Sequence, residues 1–175
     1  GKKSITLDLN RLKAQRLFLQ LAKTADVVIE SFRPGTMERW GLGYEELAAA
    51  NPGIILVRIS GFGQEGPYRD RPGGDGVAQA MSGSSFVTGY EDGPPIRCGL
   101  AIGCYLAGLF GALGTLIALY ERDVKGSKKG QWIDVPLYGG LFRLSGIVVT
   151  QYDKLNIVEQ RTGNRTLRSP MDDIY

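Results

Sequence analysis

The stretch from Asp26 to Ser60 reads DVVIESFRPGTMERWGLGYEELAAANPGIILVRIS, and it decides the fold. Asp26 to Glu30 is a short apolar run, which Ser31 to Gly35 (SFRPG) interrupts with a proline and a glycine. A short helical stretch follows, then Tyr44 to Ala50 (YEELAAA), closed by Asn51-Pro52-Gly53 ahead of a second apolar run, Ile54 to Ser60. Strands alternating with helices predict an α/β protein with a parallel sheet, and runs rich in Val and Ile suit burial on both faces.

Outward from this centre the pattern continues. Ser4 to Leu9 alternates polar and apolar residues like a strand, and Leu12 to Lys23 repeats apolar residues at helical spacing. Gly61 to Pro95 is rich in Gly, Pro, Asp and aromatic residues, which predicts functional loops around one short helix near Asp75 to Met81. An apolar helix is expected over Leu100 to Tyr120, a polar turn over Asp123 to Gly130, a strand over Gln131 to Val135 and a helix over Leu141 to Tyr152. Residues 1–160 thus read as one domain and 161–175 as a linker toward a further domain, and the opening Gly1-Lys2-Lys3 reads as a cut inside a domain.

The 175 residues are 43% apolar and 22% charged, ordinary for a soluble globular domain. The formal net charge of +3 is scattered except for Lys125, Lys128 and Lys129, a solvated turn, so nothing demands a nucleic-acid partner. The chain has no histidine, which removes Ser-His-Asp and Cys-His chemistry and the usual zinc spacings, and no metal is expected. Two cysteines, Cys98 and Cys104, cannot build a disulfide framework and suit a reducing compartment, the cytoplasm or a mitochondrial matrix.

Gly61 to Gly66 (GFGQEG) matches G-x-G-x-x-G after a strand, but Pro67, Pro72 and Gly73-Gly74 keep the chain irregular where a dinucleotide fingerprint needs a helix. Gly99 to Tyr120 is long and apolar enough to cross a bilayer; its glycines suit a close-packed core helix, and a membrane anchor is the alternative. Phe32, Arg33, Arg39 and Trp40 gather two guanidinium groups and two aromatic faces after a strand, a set able to hold a nucleotide with phosphates. On composition alone a solvated arginine pair beside a local aromatic core is the more ordinary reading of the same residues. Cys104 falls near the start of the long helix, where the helix dipole favours a reactive thiolate, although an inert small apolar cysteine is the commoner use. Asp75, Glu91 and Asp92 are loop acids, which cap turns more often than they catalyse.

In order and spacing, KKSITLDL (Lys2 to Leu9), ADVVIESFRPGTMERWGLGYEEL (Ala25 to Leu47), NPGIILVRISGFGQEGPY (Asn51 to Tyr68), GVAQAMSG (Gly76 to Gly83), GPPIRCGLAIG (Gly93 to Gly103) and GQWIDVPLY (Gly130 to Tyr138) resemble the class III CoA-transferases. The resemblance implies a Rossmann-like large domain that binds coenzyme A or acyl-CoA, a strand-helix unit before it, a small domain after it, and an interlocked homodimer. It implies an activity that moves CoA between an acyl-CoA donor and a carboxylic acid acceptor. It places Leu7, Phe32, Arg33 and Arg39 in the CoA nucleotide pocket, with Trp40 beside them.

Three positions depart from the pattern. Asn10 stands where some members have a basic residue, and Gly74 where many have an aromatic residue or histidine, which also closes the related racemase chemistry. Cys104 stands where the family keeps its nucleophilic aspartate. That carboxylate forms a mixed anhydride with the acyl group and then a CoA thioester; a thiol accepts the acyl group but offers no acyl carbon to CoA. The resemblance therefore leaves a divergent transferase with Cys104 as acyl acceptor, a CoA-binding protein without catalysis, or an altered catalytic position.

Overall fold

The computed structural model describes residues 1–165. Strands β1 (Val27–Glu30), β2 (Ile55–Ser60) and β3 (Trp132–Pro136) form a parallel sheet in the order β1-β2-β3. Val27 pairs with Ile55, and Val57 with Ile133. Because side chains alternate along a strand, β2 feeds two cores. Ile54 and Leu56 pack with Ala22, Met37, Leu42 and Leu47, while Ile55 and Val57 pack with Ala107, Ala118, Val135 and Leu141. The central strand is buried on both faces, as its composition predicts.

On the first face lie α1 (Leu12–Ala22), α2 (Thr36–Arg39) and α3 (Tyr44–Ala50). Asn51 closes this layer: its side-chain amide donates to the carbonyls of Ala22 and Ala25 at 3.0 and 2.9 Å, and its Oδ1 accepts the Gly53 N–H at 3.0 Å. The Asn-Pro-Gly signal thus marks a junction between α1 and α3 as well as a helix end.

On the second face α4 (Asp75–Met81) and the short α5 (Ser84–Val87) precede α6 (Ile102–Leu119), which lies across β2 and β3 and ends in a π-helical turn over Tyr120–Val124. Its buried side is small: Gly103, Ala107, Gly111 and Ala118. A Cβ on Gly111 would meet Val57 Cγ1 at 3.4 Å, and one on Gly114 would meet Ile133 Cγ2 at 3.1 Å. The expected core helix is therefore core on one side only. Tyr105, Leu109, Leu113, Leu116 and Ile117 on the other side are exposed, and by length and composition Ile102–Val124 could span a membrane.

Two expected elements differ. Ser4 to Leu9 is not a strand: it makes no ladder with another strand among the described residues, and Leu9 packs on the α1–α3 core instead. Alternation supplies a face, but a strand also needs a partner. The single helix expected over Leu141 to Tyr152 is two, α7 (Leu137–Leu144) and α8 (Val148–Leu155), because Gly146 takes a left-handed φ of 58° between them. Of the expected linker, residues 161–165 pack back on the body: Arg161 Nη1 donates to the Phe86 carbonyl at 2.9 Å and the Gly163 N–H to the Gly89 carbonyl at 2.8 Å. Residues 166–175 lie outside the described residues.

The two sides of α6 should respond oppositely to added volume. Gly114→Val drives a branched side chain into Ile133 and should destabilise by about 1–3 kcal/mol. Gly108, whose Cβ would meet nothing within 4 Å, should gain up to about 1 kcal/mol as Gly108→Ala from helix propensity. Urea unfolding of both variants measures the difference; equal effects would contradict the close sheet contact.

Candidate functional site

A cleft of about 390 Å³ opens at the C-terminal ends of β1 and β2, bounded by Ser31 to Pro34 on one side and by Arg69, Arg71, Pro72 and Gly73 on the other. Cys104 and Leu137 also line it. The first wall is set by an ion network. Arg58, buried on β2, donates from Nε to Glu30 Oε1 at 2.8 Å and from Nη1 and Nη2 to Glu38 Oε1 and Oε2 at 2.6 and 3.2 Å. Glu30 Oε2 accepts the Phe32 N–H at 2.7 Å, so the same carboxylate that neutralises Arg58 fixes the turn carrying Phe32 and Arg33. Glu38 is held below its ordinary carboxylate range by the hydrogen bonds from Arg58.

The second wall depends on close backbone crossing. A Cβ on Gly61 would lie 2.6 Å from Gly73 Cα, so the chain after β2 and the chain before α4 pass where no side chain fits. Gly61 to Gly66 forms a loop with no helix after it, as the prolines predict, and Ser60 Oγ accepts the Gly63 N–H at 3.1 Å.

Cys104 sits in the first turn of α6 with an exposed side chain. Two of the free N–H groups of that turn are taken by a carboxylate: Asp75 Oδ1 accepts the N–H of Gly103 at 2.8 Å and of Cys104 at 3.2 Å. Gln79, fully buried, donates to Asp75 Oδ2 at 2.6 Å and to the Leu100 carbonyl at 3.2 Å, and accepts the Cys98 N–H at 2.8 Å. Asp75 and Gln79 thus clamp the approach to the thiol from Cys98 to Cys104. Asp75 is outside the cleft lining, as are the exposed Glu91 and Asp92.

The other expected residues divide between neighbouring sites. Arg39 lines an adjoining cavity of about 570 Å³ that shares Pro34 and Arg69 with the cleft, and its guanidinium donates to Thr36 Oγ1 at 2.9 Å. Trp40 meets Phe32 edge to face at 5.1 Å and donates its indole N–H to Asn10 Oδ1 at 3.3 Å. Leu7 is apart, in a shallow hollow with Asn10 and Arg11, and Asn10 joins that hollow to Trp40. In the adjoining cavity Gln64 Nε2 is buried without a hydrogen-bond partner among the described residues. Nearby, Asp134 accepts the Gln64 N–H at 2.8 Å and burial raises its carboxyl above the ordinary value.

Sequence reasoning missed Arg69 and Arg71, two loop cations facing the cleft; Arg71 stacks over the Tyr68 ring at 4.2 Å. The Arg-Asp-Arg run directly after a strand and its Gly-rich turn was the available signal.

With an arginine-rich cleft and a nucleophile candidate at the strand ends, comparison with known proteins becomes decisive: the family model for CoA-transferase family III matches residues 1–175. The chain belongs to that family. It is 47% identical over 175 residues to a Chloroflexus aurantiacus protein named succinyl-CoA–D-citramalate CoA-transferase, covering 100% of this chain and 43% of that protein. It is 40% identical over 166 residues to an acetyl-CoA:oxalate CoA-transferase of Acetobacter aceti, covering 94% of this chain and 42% of the relative. The crystal structure of a CaiB/BaiF family protein from Brucella suis matches with a TM-score of 0.88 at 36% identity, over 94% of this chain and 43% of that one. The chain spans less than half the length of these family III relatives.

The Arg58 network of this family III chain can be tested directly. Arg58→Met strands the buried Glu30 carboxylate and should cost about 3–5 kcal/mol in urea unfolding. Glu30→Gln added to it removes the charge, keeps an acceptor for the Phe32 N–H, and should recover a large part of the loss. No recovery would mean that Arg58 acts through packing alone.

Proposed function

We propose that this chain is the coenzyme A-binding core of a protein on the scaffold that moves CoA between an acyl-CoA and a free carboxylic acid, with Cys104 at the position of the family's nucleophilic aspartate and little of that ordinary turnover while the thiol stands there. The observation that carries this reading is the cleft itself, in which Cys104 shares one cavity with Phe32, Arg33, Arg69 and Arg71 at the strand ends. Guanidinium forks suit phosphate oxygens, and the Phe32–Trp40 pair offers apolar faces to the nucleotide. Arg39 would serve the same ligand from the adjoining cavity and Leu7 from the flank. No metal enters the proposed chemistry.

For assembly we propose the interlocked homodimer, supported by the exposed apolar side of α6, and for location a reducing compartment, cytoplasmic or mitochondrial matrix, supported by the two free cysteines. Membrane anchoring is the second reading of that apolar side; the glycine-faced packing of the same helix on β2 and β3 speaks against it.

Two outcomes test the reading in the full-length protein. Arg33→Ala combined with Arg39→Ala should weaken CoA binding by about 1.5–3 kcal/mol for each guanidinium–phosphate hydrogen bond removed, measured by calorimetry; unchanged binding would refute the assignment. Cys104→Asp should raise CoA transfer from acyl-CoA to a carboxylic acid by orders of magnitude, because a carboxylate can become an anhydride and then a CoA thioester while a thiol cannot. Equal activity of both forms would move the nucleophile elsewhere. Inactivity of both with CoA still bound would favour a binding protein without catalysis.

A further inference from the structure

The cleft holds a thiol and, among the described residues, no aspartate or glutamate lines it. The carboxylate nearest to Cys104 along this network, Asp75, is committed: Oδ1 receives two backbone N–H groups and Oδ2 the Gln79 amide. Moving Asp75 into the cleft would uncap the first turn of α6 and leave the buried Gln79 without one of its partners. The strongest nucleophile facing the three cleft arginines is therefore the exposed Cys104 thiol, aligned at the helix start by the very carboxylate that would otherwise compete with it.

We infer that the native chain, as distinct from its Cys104→Asp variant, is an acyl-exchange site that passes an acyl group from one anionic thiol to another through S-acyl-Cys104. This inference rests on the acyl-CoA reading of the cleft. The Cys104 thiolate attacks the thioester carbonyl; the new S–C bond forms, the C–S bond to CoA breaks, and CoA leaves as its thiolate. A second thiolate then attacks the S-acyl carbonyl, takes the acyl group, and Cys104 departs as thiolate. One thioester is broken and one made in each half, protons are exchanged with solvent, and no oxidant or other co-reactant is needed. Because both thioesters have similar energies, each half runs in either direction. The acceptor that the cleft fits is a phosphorylated thiol of the CoA type, since it enters past Arg33, Arg69 and Arg71 as the donor does.

Intact-mass measurement and peptide mapping of the full-length protein, incubated with acetyl-CoA or succinyl-CoA and then with 4′-phosphopantetheine, test this. The expected result is one acyl mass on Cys104, none on the half-buried Cys98, release by neutral hydroxylamine, and loss of the adduct with formation of acyl-phosphopantetheine on adding the acceptor. Cys104→Ala, shown by calorimetry to bind CoA still, should form neither adduct nor product. An acyl mass shared equally by Cys98 and Cys104, an adduct that persists with the acceptor, or a CoA mass attached to a carboxylate would each overturn the inference. CoA titration of the same preparation separates two failures: no binding brings down the cleft reading itself, whereas binding without an adduct brings down only the exchange.

Discussion

The site depends on one buried cation. Arg58 lies in the middle of the sheet and would be prohibitively costly to desolvate alone, so its position commits Glu30 on β1 and Glu38 on α2 to meet it. Those two carboxylates stand on either side of the Ser31–Gly35 turn, and the spare oxygen of Glu30 holds the Phe32 N–H. A turn that would otherwise be a mobile loop is pinned at both ends to the most buried strand in the molecule, and Phe32 and Arg33 inherit the rigidity. A buried ion pair is a poor source of stability, but here it gives the sheet a definite geometry at the edge where the cleft forms.

The opposite end of the cleft follows a different logic. The first turn of α6 carries N–H groups that could have faced a ligand, and Asp75 absorbs two of them. What reaches the cleft from this helix is a side chain, and it is a thiol. The difference between thiol and carboxylate is chemical, not geometric: both can attack a thioester, but only the carboxylate brings a carbon that CoA can later claim. In the proposed acyl-CoA chemistry, that one difference would decide which half of the thioester the protein retains.

Much of this was legible in the sequence. The runs over Asp26 to Glu30, Tyr44 to Ala50, Ile54 to Ser60 and Asp75 to Met81 read correctly because periodicity and turn residues agree there. Ser4 to Leu9 misled because alternation is a property of one segment and pairing a property of two. Leu141 to Tyr152 misled because its apolar spacing runs on through the break at Gly146. The Phe32–Arg33 turn and Cys104 could be nominated from residue type and place, yet that they line one cleft could not, since a long stretch of chain separates them. Arg69 and Arg71 escape notice for a related reason, since loop charges look solvated until the backbone shows what they face; Asp75 reads as a capping acid, but the sequence does not tell which helix it caps or that Gln79 holds it. Leu7 illustrates the reverse case, a residue named by resemblance that does not line the cleft and lies in a separate hollow with Asn10, the partner of Trp40.

The crossing of Gly61 and Gly73 bears on how this cleft can change over evolutionary time. A Cβ at either position meets the other backbone at 2.6 or 2.7 Å, so replacing one glycine is not made easier by replacing its neighbour; each change compounds the other. Most pairs of touching residues can drift together, one shrinking as the other grows. This pair cannot, because both members are already at the minimum size. The wall they form is frozen against gradual change, and changes in what the cleft admits have to come from its other lining residues, such as those of the flanking arginine loop or Leu137.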